Sequence, residues 1–269
     1  MRRIAWLSAV ALSLAAAFFF APALVVGRGL ATIGSNVPLA LAFADNLIAF
    51  WNAGSSDLTP GLVDLVDLWR RWHAMKIAIS ALFTVTMVGL TAAWWARFLA
   101  AGATRRQRLG RGTAAGLATV LTLCGTVAIV ANIQATAAPL SALLPLLPSD
   151  PPPGALRLAM TEIRDGLADP GGGFAERPAL AVVIDSQRTY LTALAVTTVV
   201  VAAAFAGTAG YIWRMLRTTS AGDRLRRGTL RGFVIGAIVV TAMTVGAAVA
   251  AWRAVADPAA SLLGIFTVG

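Results

Sequence analysis

Asp64, Asp67 and His73 lie within one short stretch, with Arg70 and Arg71 between them. A carboxylate beside an imidazole is the usual equipment of a general acid and base. Helical neighbours on one face are three or four residues apart, however, and Asp67 and His73 are six apart, so the spacing does not aim them at one point. His73 is the only histidine and Cys124 the only cysteine. Multi-histidine metal sites, cysteine clusters and disulfides are thereby excluded. Cys124 sits inside an apolar run and reads as a small packing residue. Glu162, Asp165, Asp169 and Asp185 offer loose cation ligation without EF-hand spacing. Gly171-Gly172-Gly173 follows a proline and precedes no phosphate-binding helix, so it reads as a linker. No P-loop, nucleophile elbow, zinc-protease helix or dinucleotide fingerprint is present. The expectation is a chain with no catalytic, cofactor-binding or metal-binding residues.

The elements that would position these residues are apolar. Hydrophobic residues make up 58% of the chain, charged residues 13%, and mean hydropathy is +0.77. Soluble domains carry about 25% charged residues, so this surface must meet something other than water. Five runs are long enough to cross a hydrocarbon core of about 30 Å. They cover residues 4–26, 77–97, 113–134, 189–213 and 232–252. The first follows Arg2 and Arg3 and contains Ala21-Pro22-Ala23, which resembles a cleavage site. Its apolar length exceeds the usual signal-peptide core, so an uncleaved anchor is expected. Ionisable residues are missing from the depth of all five runs, which gives no proton relay or ion pathway. Asn132 and Gln134 stand near one end of the third.

Between the runs the chain changes character. Residues 36–51 contain Pro38 and Asp45 and are expected to lie on the membrane or pack against protein. Thr59-Pro60 marks a helix start, with Thr59 as N-cap and Pro60 at the first helical position. Leu62, Leu65, Val66, Trp69 and Trp72 then recur at helical spacing, while Asp64, Asp67 and Arg71 take the other side and Asp67–Arg71 can pair. Pro139, Pro145, Pro148 and Pro151-Pro152-Pro153 break the chain after the third run. Residues 155–168 form one short amphipathic helix, 169–173 a loop, and Pro178 opens another helix. Trp51, Asp64, Asp67, Trp69, Trp72 and His73 make up the candidate partner surface.

Two basic motifs organise the rest. Arg108-Leu109-Gly110-Arg111-Gly112-Thr113 and Arg224-Leu225-Arg226-Arg227-Gly228-Thr229 agree at five of six positions. They belong to the basic turns 98–112 and 214–231, whose Arg105, Arg106, Arg108, Arg111, Arg224, Arg226, Arg227 and Arg231 are expected to set topology and meet anionic lipid. If the amino terminus is cytoplasmic, the inner segments hold 13 cations and one acid, Asp223, while the outer segments 27–76, 135–188 and 253–269 hold nine cations and 11 acids. That asymmetry obeys the positive-inside rule. It also assigns the net charge of +10 to the bilayer rather than to nucleic acid, because no aromatic stacking residues interleave the arginines.

The flanks of the motifs align as well. Arg97-Phe98-Leu99 matches Arg214-Met215-Leu216, Pro60 matches Pro178, and the segment from Ala138-Pro139 to Leu144 matches Asp257-Pro258 to Leu263. A parallel duplication of a transmembrane hairpin is expected. The fold class is therefore all-α, a polytopic bundle of five transmembrane helices with a short helical extracytoplasmic layer. The functional expectation is a plasma-membrane accessory, scaffold or assembly component that presents this layer to an envelope partner. A small transporter, or its membrane subunit, for an apolar or lipidic substrate is the alternative. An enzymatic reading would need the outer carboxylates and His73 to converge.

Overall fold

A computed structural model describes residues 2–25, 37–100, 102, 104–150, 153–169, 171–174 and 176–266. The expected end of the first span at Val26, the first ten residues of the segment 27–76 that follows it, Pro151 and Pro152 of the proline run, and Pro170 lie outside the described residues. The described residues form nine α-helices and no strand. They are α1 (Arg2–Val25), α2 (Val37–Ala53), α3 (Pro60–Leu99), α4 (Arg105–Ala137), α5 (Pro139–Leu143), α6 (Ala155–Ala168), α7 (Pro178–Thr218), α8 (Arg224–Ala256) and α9 (Pro258–Leu263).

Five of these, α1, α3, α4, α7 and α8, are long and apolar enough to cross a membrane. Only 11–22% of the most apolar window of each is buried within the protein. Exposed leucine, valine and methionine side chains such as Leu12, Val85, Val127 and Met243 cover the remainder. An apolar surface that large requires lipid around it, so the protein is membrane-embedded.

As expected, the helix of the third run ends at Ala137 before Pro139, and four of the prolines also start helices. Pro60, Pro139, Pro178 and Pro258 each occupy the first position of a helix, where the missing N–H would have had no intrahelical partner. The helices that begin at Pro60 and Pro178 then run without interruption through their apolar stretches, to 40 and 41 residues. Thr59 accepts the first backbone hydrogen bonds of α3 from Leu62 and Val63. Its hydroxyl is buried without a partner, so the expected side-chain cap does not form. The expected basic turns are also shorter than 98–112 and 214–231. The Arg108–Thr113 motif is helical within α4, and the Arg224–Thr229 motif is helical from its first residue in α8. The cause is local. Thr104 and Gln107 exchange side-chain and backbone hydrogen bonds at 3.2 and 3.3 Å, a capping box that starts α4 before the motif. Gly102 supplies the left-handed backbone (φ 75°) that reverses the chain.

By internal packing the chain divides into two units. The first comprises Met1–Ala16, Ala78–Val130 and Ala195–Ala250. Its buried cluster is small: Ile4, Ala11, Met87, Leu90 and Ala118, with Leu7, Phe83, Ala93 and Trp94 against it. Small residues let the helices meet. A Cβ on Gly125 would collide with Thr84 and approach Phe83, and one on Gly89 would touch Leu7. Thr91 and Thr122 hydrogen-bond at 3.2 Å, and Trp95 Nε1 donates to Thr119 at 3.1 Å. The hydroxyls of Thr84, Thr119, Thr122, Thr126, Thr208 and Thr241 each donate to the carbonyl four residues back. These threonine hydroxyls are thus satisfied within their own helices, whereas the buried Ser80 hydroxyl has no partner.

The second unit comprises Ala17–Ile77, Ala131–Leu194 and Ala251–Gly269. It has a core of 22 buried residues. Phe43, Leu47, Phe50 and Trp51 of α2 meet Leu62, Leu65 and Val66 of α3, Met160 and Ile163 of α6, Leu180 and Val183 of α7, and Leu262 and Phe266. Fully burying side chains of this size stabilises by about 1.5–3 kcal/mol each. Helix α6 is amphipathic as expected, with Ala159, Met160, Ile163, Gly166 and Leu167 inward and Arg164 and Asp165 exposed.

Candidate functional site

The polar chemistry of the second unit gathers at two places, and neither brings Asp67 and His73 together. At the first, the Trp51 side chain is fully buried, with 0% exposure. Its Nε1–H donates to Glu162 Oε2 at 2.7 Å. Arg177 approaches the same carboxylate oxygen at 3.5 Å, donates to the Trp51 carbonyl at 3.5 Å, and lays its guanidinium 5.0 Å from the Trp51 ring and 5.1 Å from the Phe174 ring. A partly buried carboxylate therefore has a neutral donor and a charged one, and the charged one itself lies near two aromatic rings. This node ties α2, α6 and the 171–177 loop together. Trp51 was expected on a partner surface; it belongs to the core instead. Indole N–H groups find partners when buried, and Glu162 supplies this one from 111 positions along the chain.

At the second place, a groove of about 500 Å³ opens on the second unit. One wall is a face of α7: Pro178, Ala181, Val182, Asp185, Ser186 and Thr189. The others are Val66 and Arg70 of α3, the Ser56–Leu58 loop, and Ala137 to Leu140 at the α4–α5 junction. Its lining is mostly apolar, with Ser56, Arg70, Asp185, Ser186 and Thr189 as the polar members. Arg70 pairs with Asp67 at 3.0 Å, and both remain about half exposed. Asp185 lies 3.9 Å from Arg188 and is largely exposed. Ser186 accepts the Ser141 N–H at 3.1 Å and shares a hydrogen bond with the Ser141 hydroxyl at 3.0 Å.

The remaining sequence candidates separate. Asp67 pairs with Arg70 rather than Arg71, whose Nε donates to the Asp67 carbonyl instead. Asp64 is exposed. His73 Nδ1 donates to the Trp69 carbonyl at 2.9 Å, and its ring lies 4.3 Å from the Trp69 ring. That bond fixes the proton on Nδ1, because a carbonyl can only accept. Trp69 packs partly buried against the core. Trp72 faces the Lys76 ammonium at 5.7 Å, and the same ammonium sits 4.8 Å from the Phe18 ring. Asp169 spends one oxygen on the Gly171 N–H. Asn132 and Gln134 are buried. Among the described residues, no three His, Cys, Asp or Glu side chains come together in a set able to hold a metal ion.

Of the basic residues, Arg105, Arg106, Arg224, Arg226 and Arg231 are exposed, and Arg108 is half-buried. Two are committed to the fold. Arg111 Nη1 donates to the Arg97 carbonyl at 3.0 Å, in the last turn of α3, and Arg227 Nη1 donates to the Thr219 carbonyl at 3.2 Å, just past α7. These arginines occupy matching positions in the two basic motifs. Each satisfies a carbonyl orphaned at a helix end and places positive charge at the negative pole of that helix.

Sequence reasoning did not find the Glu162–Arg177 node or the groove. The partners of Trp51 are far away in sequence, and neither Glu162 nor Arg177 stands in a motif that names the other. For the groove wall on α7 the sequence reading offered only the helix start at Pro178. No family model, no curated protein and no solved structure matches this chain.

Proposed function

We propose that the protein is a non-enzymatic accessory, scaffold or assembly component of the plasma membrane. In this reading the amino terminus and both arginine-rich turns are cytoplasmic, and the segments of the second unit form an extracytoplasmic helical layer that a partner binds. The observation that carries it is the contrast in packing within the chain. The segments between the spans are not short connectors; they build their own core of 22 buried residues, fastened by the Trp51–Glu162–Arg177 node. A core of that kind is the support for a fixed surface. The groove beside Arg70 and Asp185 is the part of that surface to which a partner segment would dock. The alternating charge supports the orientation, because the basic segments and the acid-rich ones fall on opposite sides of the threading.

The same reading includes a parallel duplication, and the element layout supports a larger unit than a hairpin. Helices α2, α3, α4 and α5 begin at Val37, Pro60, Arg105 and Pro139; α6, α7, α8 and α9 begin at Ala155, Pro178, Arg224 and Pro258. The α4–α5 and α8–α9 breaks are single residues of nearly equal backbone geometry, Ala138 at φ −134°, ψ 73° and Asp257 at φ −137°, ψ 78°. Helix α1 stands outside the repeat.

The test is photocrosslinking in the native membrane from Ser56 and Ala181, on two walls of the groove. The accessory reading expects one discrete protein adduct from both positions, lost on exchanging the groove charges (Arg70→Glu with Asp185→Arg). Crosslinks only to lipid, together with flux of an apolar substrate into proteoliposomes, would replace it with the transporter reading.

A further inference from the structure

We infer that the first turns of α4 and α8 each form a contact surface for anionic lipid headgroups, carried by Arg105 and Arg106 in α4 and by Arg224 and Arg226 in α8. These four stand in the first turns of α4 and α8, and four observations leave their side chains open to a headgroup; Arg214, Arg217 and Arg231, also exposed, lie outside those turns. Arg111 and Arg227 are taken up by the backbone carbonyls of Arg97 and Thr219. The nearby acid, Asp223, caps α8 by accepting the Arg226 backbone N–H at 3.1 Å. The four ion pairs among the described residues, Asp67–Arg70, Asp150–Arg157, Glu162–Arg177 and Asp185–Arg188, all lie elsewhere. Arg105, Arg106, Arg224 and Arg226 are exposed.

The chemistry of the surroundings selects the partner. Leu109, one turn beyond Arg105, is 73% exposed, and Leu225 lies exposed between Arg224 and Arg226. Tyr211 and Trp213 are exposed in the last part of α7, and Arg97 stands 5.7 Å from the Trp94 ring. Guanidinium groups next to bare leucine and interfacial aromatics match the boundary between phosphate and acyl chain. An acidic protein or nucleic acid would leave those apolar groups in water. The helix-start amides contribute little. The Gln107 N–H is used by the capping box at α4 and the Arg226 N–H by Asp223 at α8, so a headgroup must be held by side-chain charge. Guanidinium forks suit phosphate oxygens.

These surfaces are defined by headgroup chemistry and stand whichever side of the membrane the turns occupy. The test uses the full chain in nanodiscs of phosphatidylcholine with or without phosphatidylglycerol, and counts retained lipid by native mass spectrometry. Wild type is expected to retain phosphatidylglycerol over phosphatidylcholine, with the preference falling as salt rises. The variant R105Q/R106Q/R224Q/R226Q is expected to lose that preference, each arginine contributing about fivefold. R105K/R106K/R224K/R226K should restore most of it. R111Q/R227Q should keep the preference and lower the thermal midpoint in both lipid mixtures. Retention of the wild-type preference by the glutamine variant overturns the inference. So does a wild-type preference that salt does not touch, or one displaced by inorganic phosphate or by an acidic peptide at equal charge.

Discussion

Glu162 holds two donors, so the substitutions around it are not equivalent. Glu162→Ala leaves the Trp51 N–H buried and unpaired and Arg177 without its carboxylate. The expected cost is about 1–3 kcal/mol for the unsatisfied group, read as a lower midpoint in thermal unfolding followed by circular dichroism. Glu162→Gln keeps an acceptor for the indole and should cost less. If alanine and glutamine cost the same, the indole hydrogen bond contributes nothing. Gly166 is a second point of tight fit. An added Cβ there would lie 3.1 Å from the Phe174 carbonyl oxygen and 2.9 Å from a Leu180 methyl. Backbone cannot give way as a flexible side chain can, so Gly166→Ala should destabilise by about 1–3 kcal/mol, although alanine is the better helix former. A stabilised Gly166→Ala protein would show that the loop moves aside. Composition revealed Trp51 as a large aromatic outside the spans. It could not reveal burial, because burial depends on α6 and the 171–177 loop folding back over α2.

The elements were the most legible level. Apolar length alone located all five membrane helices, and Thr59-Pro60 and Pro178 marked helix starts. What escaped was continuity: the chain crosses from Arg71-Trp72-His73 into the apolar part of α3 without a break, since no residue there disfavours helix. The short helices α5 and α9 were legible only as aligned segments. The structure shows each pinned to α7 through a serine: Ser141 to Ser186, and Ser261, which accepts from Gln187 at 3.2 Å. Asp257 caps α9 by accepting the Ala260 N–H at 3.0 Å. Asp257→Ala should therefore cost about 0.5–2 kcal/mol. The corresponding Ala138 has the same backbone shape but is only 3% exposed. Ala138→Asp should destabilise rather than cap, because a carboxylate at that site loses its water. Measuring both by denaturation in one detergent separates the two outcomes; a stabilised Ala138→Asp protein would mean the site is open.

For the whole molecule, charge asymmetry supplies an expectation that the fold alone does not. Reporter fusions after Gly102 and Gly222 should read as cytoplasmic, and those after Gly172 and Gly269 as extracytoplasmic. A cytoplasmic reading at Gly172 would remove the proposed orientation. The sequence supports an expectation of that order because insertion responds to local charge and hydropathy, both linear properties of the chain. It could not supply the groove, which draws residues from 56 to 189. The matched helix lengths carry a further consequence. Helices α4 and α8 have 33 residues each, and α3 and α7 have 40 and 41. Two hairpins cut to one length meet a bilayer of given thickness with the same mismatch, so membrane that is too thin or too thick must tilt both alike. Stability measured across lipids of increasing acyl-chain length should pass through a single maximum. Two separate maxima would mean that the hairpins gauge thickness independently.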